Sequence, residues 1–317
     1  MSQFATDIRT VTQVLPHPNA DRLEIAMVND LGYRMVVGKG EFQPGDRALY
    51  IPLDAVLPDT FRDQLGLQRN RIKTVKLRGE ISQGLLVPLN KAVSWLPDGT
   101  DLGAAFGVTK YDPEEVTHQG HGTRTTLPAG LSVYDIENAE RYLRDYSLIM
   151  SGPHVVTEKL EGTNYCAVLD ENDQFHVCSR RHALSEDDSV WWRATRELGI
   201  RDIVTEIKTT IGANHVAIYG ELVGPSIQKN YYGIDRLTLF VFDLKLNHHW
   251  QSWNELCWLA STGLFGGLSL VPSVALGYPY SVLKANKLRE GVVVRTAGNR
   301  ERMLLKVKNK DYLLKEE

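Results

Sequence analysis

Cysteine is scarce in this chain: Cys166, Cys178 and Cys257 are the only three in 317 residues, and no two form a CxxC pair. Three thiols cannot all pair with one another. A disulfide-stapled scaffold is therefore excluded, and buried thiols in the cytoplasm or another reducing compartment are expected. Long apolar runs are also missing. No stretch approaches the length of a membrane span. The opening residues, Met1-Ser-Gln-Phe-Ala-Thr-Asp, lack a basic region followed by an apolar one, so no secretory signal is evident. Nor does one sign of charge dominate: 36 Lys and Arg stand against 39 Asp and Glu, a net charge of −3. That argues against a uniformly basic nucleic-acid binder.

What is present is ordinary for a soluble globular chain, 43% hydrophobic and 24% charged. The length suggests two domains, one of them small. Charge is unevenly spread. Residues 284–317 hold ten Lys/Arg and five Asp/Glu, a local balance of +5 that leaves −8 for the rest. This points to a phosphate-facing C-terminal segment.

From Asp7 to Phe106 the chain reads as short strands with frequent turns. Candidates are Ile8–Leu15, Leu23–Val28, Tyr33–Val37, Arg47–Ile51 and Gly84–Val87. Five short strands in about a hundred residues suit a small barrel such as an OB fold, often used to bind oligonucleotides. His17-Pro-Asn-Ala-Asp-Arg-Leu23 is a turn motif that resembles the tRNA-binding OB modules attached to some synthetases. Arg69 to Arg78 is the most basic stretch of this half, either a solvated strand edge or a contact for backbone phosphate. Asp112 to Gly130 is polar, with two prolines, and reads as a linker. His118 and His121 lie in it without a cluster of further ligands, so a plain loop is expected there. Beyond it, Tyr134 to Met150 has the apolar spacing of an amphipathic helix. Ser185-Glu-Asp-Asp188 resembles a capping box opening a helix through Leu198, with Trp191 and Trp192 as core. Trp253 to Thr262 suggests another helix, ended at Gly263. Strands and helices alternate here without βαβ regularity, which indicates α+β with antiparallel sheets forming a nucleotide cleft.

The chemistry concentrates in a few strand ends. Thr157-Glu-Lys-Leu-Glu-Gly-Thr-Asn164 holds Lys159 at a strand edge, with Gly162 three residues on where the chain must turn. A lysine with glycine at +3 is a weak pattern, and Lys76-Leu-Arg-Gly79 repeats it. Lys159 differs in its downstream company: Ser179-Arg180-Arg181, then Ala217-Ile-Tyr-Gly-Glu221, then Leu237-Thr-Leu-Phe-Val-Phe-Asp243. Arg289-Glu290-Gly291 comes next, and Leu304-Leu-Lys306-Val-Lys308 closes the set.

This ordered set resembles motifs I, Ia, III, IIIa, IV and V of the covalent nucleotidyltransferases, the polynucleotide ligases and mRNA capping enzymes. It is most similar to the ATP-dependent RNA ligases with an N-terminal OB-fold domain and no domain after motif V. The resemblance implies residues 1–112 as an OB-fold domain, 113–130 as linker and 131–317 as an adenylyltransferase domain of antiparallel sheets flanked by helices. It also implies an enzyme that seals 3′-hydroxyl and 5′-phosphate RNA ends through a lysyl-AMP intermediate. Phe242 would then stack on adenine, Asp243 and Glu221 would fix the nucleoside, and Arg180 and Asn164 would lie near ribose or phosphate. Glu158 falls in the same ATP-binding set. Nicked duplexes or paired RNA ends are the expected partners, RNA/DNA hybrids included, and a monomer is expected.

The residues themselves support such chemistry. An unperturbed lysine titrates near 10.4 and must lose its proton before it attacks phosphorus. Nearby positive charge or a metal lowers its pKa, as does burial. Lys306 and Lys308 lie two apart on a strand, so both point to one face and call for anions. Glu161 and Glu290 are the candidate contacts for Mg²⁺ or Mn²⁺, directly or through water. The family commonly has aspartate at the position of Glu161. Two alternatives remain open. One is a capping guanylyltransferase or DNA ligase, disfavoured by the nine residues left after Lys308. The other is a non-catalytic RNA-binding protein with a nucleotide-sensing domain, disfavoured by the intact Lys159, Glu290, Lys306 and Lys308.

Overall fold

The computed structural model describes residues 4–111, 124–274, 288–298 and 301–315. Most of the expected linker, with His118 and His121, lies outside the described residues. The chain divides into two compact units. One comprises Met1–Glu114 with Ala139–Arg144 and Leu313–Glu317, and the other Glu115–Asn138 with Asp145–Tyr312.

In the first unit the strands are β1 (Asp7–Pro16), β2 (Leu23–Val28), β3 (Met35–Gly38), β4 (Arg47–Ile51) and β5 (Ala55–Val56). After helix α1 (Asp59–Gln64) come β6 (Val75–Leu77), β7 (Glu80–Ser82), β8 (Leu85–Pro88) and β9 (Thr109–Lys110). Five of these strands form an antiparallel sheet ordered β3-β2-β1-β4-β8, a nearly closed barrel. Each of the five strands expected from sequence falls on one of them. The sheet coils because β1 serves two neighbours. Its first four residues pair with β4 and the remainder with β2, with a register shift between Val11 and Gln13. Val11, Ala26, Met35 and Tyr50 fill one core. Ile8, Leu49, Ile51 and Phe61 fill a second. Alternation along β1 and β4 sends successive side chains to opposite sides, which is how two cores share the same strands.

The second unit holds two sheets. Its strands are β10 (Arg124–Thr125), β11 (Glu137–Asn138), β12 (His154–Lys159), β13 (Thr163–Leu169), β14 (Phe175–Cys178) and β15 (Ala183–Leu184). They continue with β16 (Val216–Val223), β17 (Thr238–Leu246), β18 (His249–Trp250), β19 (Ser269–Leu270), β20 (Gly291–Thr296) and β21 (Leu304–Lys308). The helices are α2 (Leu143–Ser151), α3 (Val190–Glu197), α4 (Ile200–Ile211), α5 (Trp253–Ser261) and α6 (Lys310–Leu313). The larger sheet runs β10-β15-β14-β13-β16-β17-β18, with β19 beside β17, and the smaller runs β11-β21-β20-β12. One face of the larger sheet is buried with α3, α4 and α5 around Tyr165, Ile218, Val204 and Leu256. The other carries Cys166, Cys178, Tyr219 and Tyr134. All three cysteines are free thiols. No described helix is long and apolar enough to cross a membrane.

Two expectations need correction. The stretch from Tyr134 to Met150 is not one helix: Glu137–Asn138 forms strand β11, a 3₁₀ turn spans Ala139–Arg141, and α2 starts at Leu143. Its apolar spacing suits a helix, but the exposed edge of β21 takes Glu137 and Asn138 as a parallel partner. The cap of α3 is Ser189, whose side chain accepts from the backbone N–H of Trp192. The Ser185 capping box does not form, and Glu186, Asp187 and Asp188 precede the helix. The full capping box belongs to α5, between Ser252 and Glu255. Ser252→Ala removes one arm of it and costs about 1 kcal/mol locally. Amide exchange in the first turn of α5 is expected to speed up about fivefold, and an unchanged rate would show the cap to be idle.

Candidate active site

The smaller sheet sets the site. Its central strand β20 begins at Gly291, which pairs with Lys159 of β12 on one side and Lys308 of β21 on the other. Lys159, Gly291 and Lys308 thus form one row across three strands, with the outer Cα atoms about 10 Å apart at ordinary strand spacing. The row admits no side chain at its centre. Gly291 has φ +153°, and a Cβ there would stand 2.2 Å from the Val307 carbonyl oxygen. Glu290, one residue earlier, fills the gap with charge. Its Oε1 lies 2.5 Å from Lys159 Nζ and 3.8 Å from Lys308 Nζ. The carboxylate is 9% exposed and the two lysines 23% and 22%, so the contact sits at the mouth of the sheet.

Lys306, two residues before Lys308, feels the same cations. Burial, together with the charges of Lys159, Lys308 and Arg180, lowers its pKa to about 8 against the pull of Asp135. Glu221 comes in from β16 of the larger sheet, opposite Asn164 of β13. Burial and the Glu290 charge raise its pKa to about 8, although Lys159, Arg180 and the Gly162 backbone N–H oppose the shift. Gly162 is forced by the same approach: a Cβ on it would stand 2.5 Å from the Leu222 carbonyl oxygen. Arg180 is held by Asp135 at 2.7 Å. The structure therefore brings together Lys159, Lys306, Lys308, Glu290, Glu221 and Arg180, with Asn164 in register beside them. The Asn164 carbonyl accepts from Trp191 Nε1 at 2.9 Å.

The remaining expected residues have other partners. Glu158 points away from the lysine row, is fully buried, and is paired with Arg289, while its Oε2 has no hydrogen-bond partner. Glu161 is buried. Its backbone N–H donates to the Tyr232 hydroxyl at 2.7 Å, and its Oε1 accepts from Tyr312 at 3.1 Å. Phe242 is half-buried, with the Tyr134 ring 4.9 Å away, centroid to centroid. Phe240 is core. Asp243 stands apart from the lysines. It is buried and bonded to the Tyr134 hydroxyl, lies 2.5 Å from Arg302, and approaches Arg295 to 3.5 Å. With Trp250 and Trp253 these arginines line a cleft of about 320 Å³ at the far end of β20 from the lysine row.

Sequence reasoning assigned no role to Arg289, Tyr232, Tyr312, Asp135, Tyr134 or Arg302. Arg289 adjoins Glu290 and so sits beside a stretch that the motifs mark, whereas Tyr232 lies in a loop between the Glu221 and Asp243 motifs. Tyr312 and Tyr134 carry no motif signal.

Two outcomes are expected from this geometry. Gly291→Ala forces β20 and β21 apart, so it should abolish any chemistry at Lys159 while circular dichroism still reports a folded chain. Wild-type activity in that variant would contradict the close approach. Glu221 has a folded pKa near 8 against an ordinary 4.5. A raised carboxyl pKa favours the protonated form in the fold, so its contribution is full below about 4.5 and is lost as pH rises through about 8. Glu221→Gln mimics that protonated form. Its melting temperature relative to wild type should rise steadily between pH 5 and pH 8, and a flat difference would refute the shift.

Comparison with known proteins points the same way. The RNA ligase family model matches residues 152–308, and an OB-fold domain model matches residues 5–89. An RNA ligase of Naegleria gruberi is similar over the whole chain: in an apo variant it shows 25% identity and a TM-score of 0.82, covering 100% of this chain and 99% of that one. The same enzyme with pyrophosphate gives 25% identity and a TM-score of 0.81, with 100% and 99% covered. A variant of it with ATP and manganese gives 25% and 0.82, with 99% of each covered. The phenylalanine–tRNA ligase beta subunit of Legionella pneumophila is 39% identical over 82 residues, which are 25% of this chain and 9% of that protein. The chain thus spans under a tenth of the length of the curated relatives it matches. Taken with the lysine row at Gly291, the matches mean that this chain belongs to the RNA ligase family, with an OB-fold domain ahead of its ligase region.

Proposed function

We propose that the chain seals RNA ends with ATP, and that the lysine row at Gly291 is where the nucleotide's phosphates bind. The observation that carries this reading is the pairing of Lys159 and Lys308 with one carboxylate, Glu290, while Lys306 feels the charge of both lysines, a cluster of cations suited to an anion. Lys159 Nζ, once deprotonated, attacks the α-phosphorus of ATP. The bond from that phosphorus to the bridging oxygen breaks, pyrophosphate leaves, and AMP is carried on Lys159 as a phosphoramidate. The 5′-phosphate of an RNA end then takes AMP from the lysine. A 3′-hydroxyl attacks this activated phosphate and expels AMP.

Each residue has a part in this. In the free protein Lys159 Nζ is paired with Glu290, so that contact must open before the amine attacks. Lys306 and Lys308 hold the phosphates and, through their charge, favour the neutral amine at position 159. Glu221 and Asn164 face the ribose, Arg180 the phosphate, and Phe242 the base. Glu158, buried and paired with Arg289, belongs to the ATP-binding set by holding the strand that carries Lys159. Asp243 acts on the nucleoside by holding Tyr134 and the strand that carries Phe242.

Among the described residues no three His, Cys, Asp or Glu side chains cluster as a metal cage. The carboxylates fit a cation held jointly by phosphate, water and one or two protein oxygens. Glu290 would hold it directly, and Glu161 through water because Tyr312 engages its Oε1. When bound, Mg²⁺ or Mn²⁺ neutralises charge on the phosphates. The substrate is a nicked duplex or paired RNA ends, RNA/DNA hybrids included, and the protein acts as a monomer.

The test is covalent labelling. Wild-type protein incubated with α-labelled ATP and a divalent cation, then denatured, should retain label, and Lys159→Ala should retain none. GTP should label far less than ATP. Label surviving in the Lys159→Ala variant at the wild-type level would overturn the assignment.

A further inference from the structure

The basic stretch that the site leaves unused forms a hairpin of its own in the first unit. Among the described residues, strands β6 and β7 pair only with each other, Val75 with Ser82, Lys76 with Ile81 and Leu77 with Glu80. Arg78 and Gly79 make the turn, at φ +50° and +101°. Residues 69–80 contain five Lys/Arg and a single carboxylate, in a chain whose net charge is −3. That carboxylate, Glu80, faces Arg34 at 3.6 Å, and Arg71 is spent on Asp54 at 2.5 Å. Arg69, Lys73, Lys76 and Arg78 make no ion pair among the described residues. Lys76 and Arg78 are exposed at the tip, as are Val75 at 43% and Leu77 at 39%.

The tip is also held in place. His17 is buried, and its Nε2–H donates to the Leu77 carbonyl at 3.0 Å while Nδ1 accepts from the Asn19 backbone N–H at 3.1 Å. Asn19 Nδ2 donates to the Arg78 carbonyl at 3.1 Å. At the base, Ser82 Oγ accepts from the Val36 N–H at 3.0 Å. The His17-Pro-Asn turn therefore fixes the hairpin through its backbone and leaves the side chains of the tip free. A short two-stranded hairpin whose strand β6 is exposed throughout is marginal in water by itself. These bonds explain how it keeps one shape.

We propose that the β6–β7 hairpin grips the sugar-phosphate backbone of the RNA substrate. Lys76 and Arg78, supported by Lys73 and Arg69, contact phosphates, and Val75 and Leu77 lie against sugars. The proposal rests on the RNA ligase reading. Unpaired cations on a fixed frame, in a chain that is otherwise acidic, match a polyanion, and the tip's conformational entropy is lost on folding rather than on binding.

The experiment uses full-length protein and a nicked RNA duplex, with binding measured across salt concentrations. In Lys76→Ala/Arg78→Ala, two lost phosphate contacts should reduce the slope of log affinity against log salt by about 2 and weaken binding between about tenfold and a hundredfold near 0.1 M salt. Sealing at limiting RNA falls in parallel, and labelling by α-labelled ATP stays at the wild-type level. A control pair of exposed cations elsewhere, Lys91→Ala/Arg193→Ala, keeps wild-type affinity and slope. Unchanged RNA affinity and slope in the hairpin variant would overturn the proposal and leave the surface to another partner, such as an acidic protein. An equal loss in the control pair would overturn it too. Lysine labelling reads the ligase assignment separately, so the two cannot fail as one.

Discussion

The lysine end of the smaller sheet depends on one carboxylate set between two lysine side chains. Lys159 and Lys308 lie far apart in sequence and reach opposite sides of Gly291 only because β20 runs between β12 and β21. Like charges brought this close repel in a site partly shielded from water, where the effective dielectric is well below that of bulk solvent. Glu290 offsets that repulsion with a single oxygen near both. Its partners are more exposed than it is, so the arrangement is stable without being closed. Removing either partner would leave a mostly buried carboxylate short of charge, which is why the three must be understood as one unit.

The neighbours bear the consequence. Lys306 and Glu221 are both driven toward a pKa of about 8, one downward and one upward. Burial is the first cause in each. The site thus limits its own charge: near neutral pH Lys306 is only modestly inclined to stay charged and Glu221 is inclined to be neutral. Such groups respond readily to an arriving phosphate. An anion beside Lys306 favours its ammonium form, and a cation beside Glu221 favours its carboxylate. Binding is then coupled to proton movement at groups that already lie close to their titration point.

Much of this was legible in the sequence, and the limits were physical. Period-two alternation marks Leu304–Lys308 as a strand with both lysines on one face, and short apolar runs between turns mark the barrel strands. Which residues face each other across a sheet is not written in either strand alone. The Lys159–Gly291–Lys308 row is a product of register, and register is a property of the whole sheet. Tyr134–Met150 misleads for a related reason. Apolar spacing measures a local preference, whereas Glu137 and Asn138 answer to the free edge of β21. Ser185 and Ser189 both precede the same helix, and composition does not say which one supplies the cap. Asp243 shows the limit at a single residue. It comes directly after Phe242, but the register of β17 against β16 slips next to it, between Tyr219 and Gly220, and its carboxylate ends among Tyr134, Arg295 and Arg302.

That last cluster bears on how the lysine end can hold its crowded cations. At the far end of β20, Asp243 is bonded to a tyrosine and an arginine with a second arginine close by, and Arg302 and Arg295 lie over the rings of Trp250 and Trp253 at 4.0 and 5.1 Å. Arg295 also donates to the Phe242 carbonyl at 2.8 Å. These contacts tie β17 of the larger sheet to β20 and to the start of β21, where the strands are anchored by satisfied charges and aromatic packing. At the opposite end, Lys159 on β12 and Lys306 and Lys308 on β21 flank β20, and their mutual repulsion tends to push the three strands apart. A sheet held at one end by a carboxylate with several cationic and aromatic partners can keep several cations around a single carboxylate at the other, because separation of the strands does not relieve their repulsion.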